Sequence, residues 1–319
     1  AERPVPELTR EDFEMEEPEL LQCRPRQDVN MFSLNAKLAR RLRESRRSAR
    51  PLASMSKVVP DLASVLLPRA HVSAPFQVWT HYNREVLLKI STEIELPATF
   101  LYAVDPIERG PVILFFDEAG RWSLLRKSGP LAAAIRFLER EAMPKPALLT
   151  VDLRGWGDTT ASPVPYEMAG WAAPERWLSY VSAALDDHVL AMRVRDAVAA
   201  FQFLRLRDEI DPERIIIGGR GMGAVVALHV AAFAGDPASE MAYLPAGVIC
   251  MDMLASFEQL CTAEQYSWPA DAFLPGVLEH YDIPEMVGWL GLMPMLLLNP
   301  RDAESRPLST EAAQELYNP

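Results

Sequence analysis

The chain is poor in cysteine, histidine and basic charge, and each shortage narrows what it can do. Only Cys23, Cys250 and Cys261 occur in 319 residues. An odd, scattered set of cysteines is no disulfide framework. Without a C-x-x-C pair or a His/Cys cluster nothing suggests a metal centre, so neither metal nor cofactor is expected. One pair of cysteines could still bond in an oxidising compartment, which leaves the compartment open; Cys250, inside an apolar run, reads as core. Lys and Arg number 32 against 44 Asp and Glu, a net charge of −12. An acidic surface repels phosphate backbones, which argues against nucleic acid as a partner. The one basic run, residues 39–50, reads as a solvated helix face and linker, with acidic neighbours at 11–19 to offset it. No apolar run approaches the roughly 18–20 residues of a membrane helix. The first residue is Ala1, which fits a mature protein after signal cleavage or a trimmed piece of a longer one.

What is present is the composition of a globular protein, 49% hydrophobic and 24% charged. Residues 1–27, rich in Pro and Glu, read as an extended arm. A helix is expected over 28–45, capped by Asp28 or Asn30, with Met31, Leu34, Leu38 and Leu42 on one face. Residues 46–70 read as a linker. The expected organisation is an arm, helix and linker over 1–70 packed on a main domain over 71–319.

From residue 75 the pattern changes. FQVWTHY, VLLKIST and ATFLYAV are β-rich runs broken by short polar turns, as in an antiparallel meander. PVILFF (111–116), ALLTVDL (147–153), RIIIGG (214–219), AGVICMDM (246–253) and PMLLLNP (294–300) are continuous apolar runs, as in strands buried on both faces. Helices are expected after Ser128-Gly129-Pro130, over 185–207 and over 222–234, with a turn at Asp211–Arg214. Strand alternating with helix specifies an α/β fold, a mostly parallel central sheet with antiparallel N-terminal strands and helices on both faces.

The segment 214–234 carries the chemistry. A buried strand runs into Gly219-Arg220-Gly221-Met222-Gly223, and a small-residue helix starts at once. Glycines there relieve clashes at a strained, close-packed turn. The frame is that of a G-x-S-x-G nucleophile elbow with Gly221 at its centre. A dinucleotide loop needs G-x-G-x-x-G at the first strand of its unit, and neither spacing nor position fits.

Three segments together resemble the α/β-hydrolase superfamily: VDLRGWGDT (151–159), DPERIIIGGRGMGAVVALHVAA (211–232) and PMLLLNPRDAESRPLS (294–309). The similarity covers roughly 75–319 and is nearest the acetylxylan-esterase-like group, esterases and peptidases among which this branch acts on acetylated carbohydrates. The resemblance implies an α/β-hydrolase fold, a nucleophile position at Gly221 and a catalytic acid at Asp302. It places the histidine after the acid, yet His71, His81, His188, His229 and His280 all precede it. His280 is the one candidate for a replacement base. His229 and His188 read as packed and capping residues. The resemblance also implies an oxyanion site from the Met222 amide and the loop Asp117 to Gly120. Arg220 would either draw an anionic ligand or pair with a nearby acid.

Asp152 and Arg154 are expected to pair and hold their loop. Thr159, Thr160 and Ser162 follow that loop without a base beside them. Trp122, Trp156, Trp171, Trp177 and Trp268 suit sugar stacking or core packing equally. These residues imply a catalytically degenerate hydrolase-fold protein whose partner is a small-molecule or carbohydrate ester ligand. The alternatives are an active carboxylic-ester hydrolase with an unorthodox site, a piece whose histidine lies on a further segment, or a non-catalytic scaffolding module. An apolar patch on 28–45 would favour the scaffold, and a pocket over Gly221 would disfavour it. An extracellular or periplasmic location is the working expectation; oligomeric state is not legible.

Overall fold

A computed structural model describes residues 16–18, 20–21, 29–46, 51–59, 69–72, 76–78, 81–103, 109–124, 146–160, 174–234, 244–291 and 293–317. The helix expected to start at Ser128-Gly129-Pro130 and the residues Cys23, Ser162 and Trp171 lie outside them. Two helices open the chain, α1 (Met31–Arg46) and α2 (Pro51–Val58). The strands are β1 (Arg69–Val72), β2 (Phe76–Val78), β3 (His81–Lys89), β4 (Glu95–Ala103), β5 (Gly110–Asp117), β6 (Ala147–Val151), β7 (Ile210–Arg220), β8 (Gly247–Met251) and β9 (Met295–Leu298). Short α3 (Arg121–Leu124) follows β5, and α4 (Pro174–Ala184) and α5 (Val189–Arg205) follow β6. Beyond β7 come α6 (Met222–Ala234), α7 (Phe257–Thr262), α8 (Val277–His280), α9 (Ile283–Trp289) and α10 (Thr310–Tyr317).

The strands form one sheet in the order β1-β3-β4-β6-β5-β7-β8-β9, with β2 beside β3. Strands β5 to β9 pair in parallel, while β1 to β4 are antiparallel and join through β4 against β6. Alternation along β5 sends Val112, Leu114 and Phe116 into the main core and Ile113 and Phe115 into a smaller cluster on the other face. Helices α5, α6 and α9 fill the main core, and Leu124 of α3 joins the smaller one.

Several expectations change. The turn foreseen at Asp211–Arg214 is a bulge inside β7. The register passes from Gly110 opposite Ile210 to Val112 opposite Ile215, and the Glu213 amide donates to Asp211 Oδ1 at 3.1 Å. The extra residues swell out of the strand instead of ending it. The linker 46–70 contains α2, whose Met55 and Val58 enter the main core. Proline at its first position suits a helix start. The stretch 185–207 begins its helix only at Val189, after Asp186 at φ 54° breaks it from α4. PMLLLNP is not buried on both faces. Strand β9 lies at the sheet edge, and Leu296 and Leu298 are 49% and 36% exposed on the face away from α6.

Candidate functional site

The elbow forms where β7 hands over to α6. Gly221 sits at φ +59°, left-handed backbone that residues with a side chain enter at a cost. Its amide donates to Met251 O at 2.9 Å and its carbonyl accepts from Ala224 at 3.2 Å, so the turn is tied to β8 and to the helix it starts. A side chain on Gly219 would strike the Gly223 backbone, and one on Gly223 would strike the Phe116 carbonyl. The two outer glycines therefore let α6 close on β7 and β5. The turn has the glycine frame read for it in the sequence, with Gly221 in left-handed backbone at its centre.

Glu118 takes up that space. Its carboxylate oxygens lie 2.5 and 2.8 Å from where a Cβ on Gly221 would stand. Its Oε2 accepts the Met222 amide at 3.0 Å, one of the first-turn donors that have no partner within a helix. The residue as a whole is exposed, although its carboxylate accepts the Met222 amide. Burial pushes its pKa up; the Met222 amide pulls the other way, the charges of Asp271 and Asp117 add to the rise, and Arg220 opposes it.

The rest of the β5 loop is self-satisfied. Buried Asp117 accepts the Ala119 amide on Oδ1 at 2.9 Å, and its carbonyl accepts the Gly120 amide at 2.9 Å. Arg220 pairs with Asp117 at 2.9 Å, the second of the two roles expected of it. Gly120, at φ +83°, packs against Gly157. Of the donors sought in Met222 and Asp117 to Gly120, the Met222 amide is held by Glu118 and those of Ala119 and Gly120 by Asp117.

Asp152 and Arg154 do not pair with each other. Fully buried Asp152 holds Arg121, accepting its amide at 2.5 Å and its guanidinium through the other oxygen. Arg121 also reaches Asp158 at 2.9 Å and Thr99 Oγ1 at 3.2 Å. Arg154 instead forks onto Asp196 of α5 at 2.8 and 2.7 Å. The first residue points at the neighbouring β5 loop and the second at the helix behind it. Beneath them Arg193 lies over the Trp156 ring at 4.2 Å, donates to the Arg154 carbonyl at 2.7 Å and pairs with buried Asp271. Thr159 caps the turn beneath Trp156, its hydroxyl donating to the Leu153 and Trp156 carbonyls; Thr160 donates to Gly157 O at 2.8 Å.

Asp302 follows β9, as expected of the acid position, but its carboxylate is turned onto its own loop. Oδ1 accepts the amides of Glu304 and Arg306, both at 2.9 Å, and Oδ2 accepts Arg306 Nε at 2.9 Å. Burial would raise its carboxyl, but the Arg306 and Glu304 bonds outweigh it and hold the pKa below the usual range. His280 ends α8, which packs against α1 and α2. The next residue, Tyr281, meets His229 at 3.0 Å, eight positions and so about 12 Å along α6 from Gly221. His229 is buried, with Nδ1 2.7 Å from the Val225 carbonyl, and His188 caps α5 through the Leu190 amide. Of the tryptophans, Trp156 and Trp268 are buried and Trp122 and Trp177 exposed.

Glu118 is the residue that reading the sequence missed. The signal was the second of the two acids that follow PVILFF, inside the loop searched only for backbone donors.

A scan against protein-family models and a search of curated proteins both found no match. Solved structures do match. A candidate acetyl xylan esterase from Bacteroides fragilis superposes with a TM-score of 0.63 at 12% identity, over 94% of this chain and 77% of that one. The fold is that of the α/β-hydrolases. Acetyl xylan esterase 1 from Thermoanaerobacterium sp. gives 0.52 at 12% identity, over 87% of this chain and 98% of that one. The acetyl xylan esterase from Paenibacillus sp. R4 gives 0.50 at 16% identity, over 91% and 85%. Identities this low establish the α/β-hydrolase architecture, and function must be argued from the site.

Proposed function

We propose that this chain is a catalytically degenerate α/β-hydrolase-fold protein of acetyl xylan esterase type, binding an acylated carbohydrate or its acyl group without hydrolysing it. The observation that carries the reading is the elbow itself: the strained backbone is intact at φ +59° and Gly221 brings no nucleophile to it. Two further features support it. Glu118 fills the place of the missing side chain, and the Asp302 carboxylate is engaged by Arg306. The ligand class comes from the structural neighbours named acetyl xylan esterases, and an extracellular or periplasmic setting goes with it.

The test is hydrolysis of p-nitrophenyl acetate by the purified chain, with and without a serine-directed organophosphonate. The expected result is turnover at the buffer rate and no covalent adduct by mass spectrometry. Fast turnover would sink the reading, and the adducted peptide would identify the replacement nucleophile.

A second reading, a non-catalytic docking module, is favoured by one observation. Val29, Met31, Leu34 and Leu38 stand exposed along the start of the chain's first long helix, the kind of apolar stripe that marks an interaction surface. Sedimentation over a range of concentrations, with Leu34→Ser and Leu38→Ser combined, checks it. Association lost in the double variant supports docking, and an unchanging monomer argues against it.

A further inference from the structure

The elbow's free amide is held by an anion from the chain itself. We propose that Glu118 is an internal plug: its carboxylate occupies the position of an acyl oxygen or carboxylate ligand, and the elbow accepts a small carboxylate once the plug is withdrawn. This rests on reading the elbow as a retained ligand site that lacks its nucleophile.

The plug and the glycine fit each other. Because Gly221 carries no Cβ, the Glu118 carboxylate can lie within 2.5 to 2.8 Å of the vacant Cβ position. The Met222 amide it accepts, at 3.0 Å, stands at the positive end of the thirteen-residue helix α6, where a negative charge is favoured. Among the described residues the Met222 amide is the one hydrogen-bond donor to it. Arg220 is committed to Asp117 at 2.9 Å, and the charges of Asp117 and Asp271 disfavour a second anion nearby. The Ala119 and Gly120 amides, which could have completed a cradle, are spent on Asp117. The cation and the extra donors that would make Glu118 permanent are thus assigned elsewhere. The residue as a whole is already exposed, so outward rotation about its side-chain bonds loses one hydrogen bond and regains water. The ligand admitted would be small and would accept a single hydrogen bond, as a carboxylate or ester carbonyl does.

Thermal unfolding titrated with sodium acetate, against matched sodium chloride, tests the proposal on wild type, Glu118→Ala, Glu118→Asp and Glu118→Gln. The Ala and Asp forms, which cannot reach the Met222 amide, should gain about 2 °C in Tm at acetate about tenfold above its Kd. Wild type and the Gln form, whose amide oxygen still accepts from Met222, should show no acetate-specific gain. The Met222 amide resonance should shift with acetate in the Ala and Asp forms alone. An equal response in all four proteins, or none in the Ala and Asp forms, overturns the plug. Ester hydrolysis measured in parallel separates the two ideas: turnover would end the degenerate reading, and the plug would still be decided by the acetate response.

Discussion

Adding one carbon at position 221 makes two demands. The backbone must hold a side chain at φ +59°, which costs about 1–2 kcal/mol for a residue other than glycine. The Glu118 carboxylate must also leave, since the new Cβ would fall 2.5 Å from it. Gly221→Ser is therefore expected to destabilise the fold by about 1–3 kcal/mol in denaturant unfolding, with part of the loss recovered when Glu118→Gly is added. Ester turnover should stay at the buffer rate in both, because His229 is sealed against Val225 and Tyr281 and the Asp302 carboxylate is engaged by Arg306. A large rescue by the serine alone would mean that a histidine reaches the elbow after all. At this scale the glycine at the centre of the turn was plain from the frame of Gly219, Gly221 and Gly223. Glu118 was not, because no sequence rule says which way a loop carboxylate turns.

Among the elements, α1 shows most clearly where periodicity stops being informative. Met31, Leu34, Leu38 and Leu42 do share one side of the helix, but of the four only Leu42 is drawn into the docked face. Met31, Leu34 and Leu38 face solvent. The helix meets α7 and α8 through Asn35, which donates to the Cys261 carbonyl at 3.2 Å, and through Ala39, Leu42 and Arg46. Arg46 reaches Glu285 at 3.1 Å and the Leu278 carbonyl. Polar anchors at both ends outweigh a stripe of leucines when fixed carbonyls and a carboxylate wait on the facing surface. Leu34→Ser and Leu38→Ser should each change stability by no more than about 0.5 kcal/mol. Leu42→Ser, at a partly buried position lining one cavity with Phe257 and Leu260, should cost about 1–2 kcal/mol. Equal costs at all three positions in urea unfolding would contradict the docked orientation.

Over the whole molecule, burial of two imidazoles sets an acid limit. Burial lowers His188 from 6.5 to about 4; Asp271 raises it and Arg193 lowers it further. Burial does the same to His229, against the Val225 carbonyl. A histidine with a depressed folded pKa resists protonation in the native state. Its contribution is fully present above about 6.5 and is lost as the pH falls towards 4, up to about 3 kcal/mol for each group. Glu118, Glu175, Asp196 and Asp282 are raised by burial and act in the opposite sense, easing as they protonate. Thermal melts of wild type and His229→Gln between pH 7 and 4 isolate the imidazole contribution. The variant should lose less Tm across that window, and parallel curves would show that His229 does not set the limit.

The alternation of apolar strands and helices, the glycine frame of the turn after β7 and the glycine at its centre were all determined by the sequence alone. Each is local: a burial period, a turn needing φ > 0, the identity of one residue. The helix Met222–Ala234 even falls on the stretch read for it. What only the tertiary structure decided were pairings between distant segments. Asp152 chose Arg121 over Arg154, Arg154 chose Asp196, and Glu118 crossed from the β5 loop to the amide of Met222. Opposite charges and free donors are plentiful along this chain, and local spacing cannot rank them. The choice falls to whichever partner the sheet brings within hydrogen-bond reach at the same moment that both are withdrawn from water.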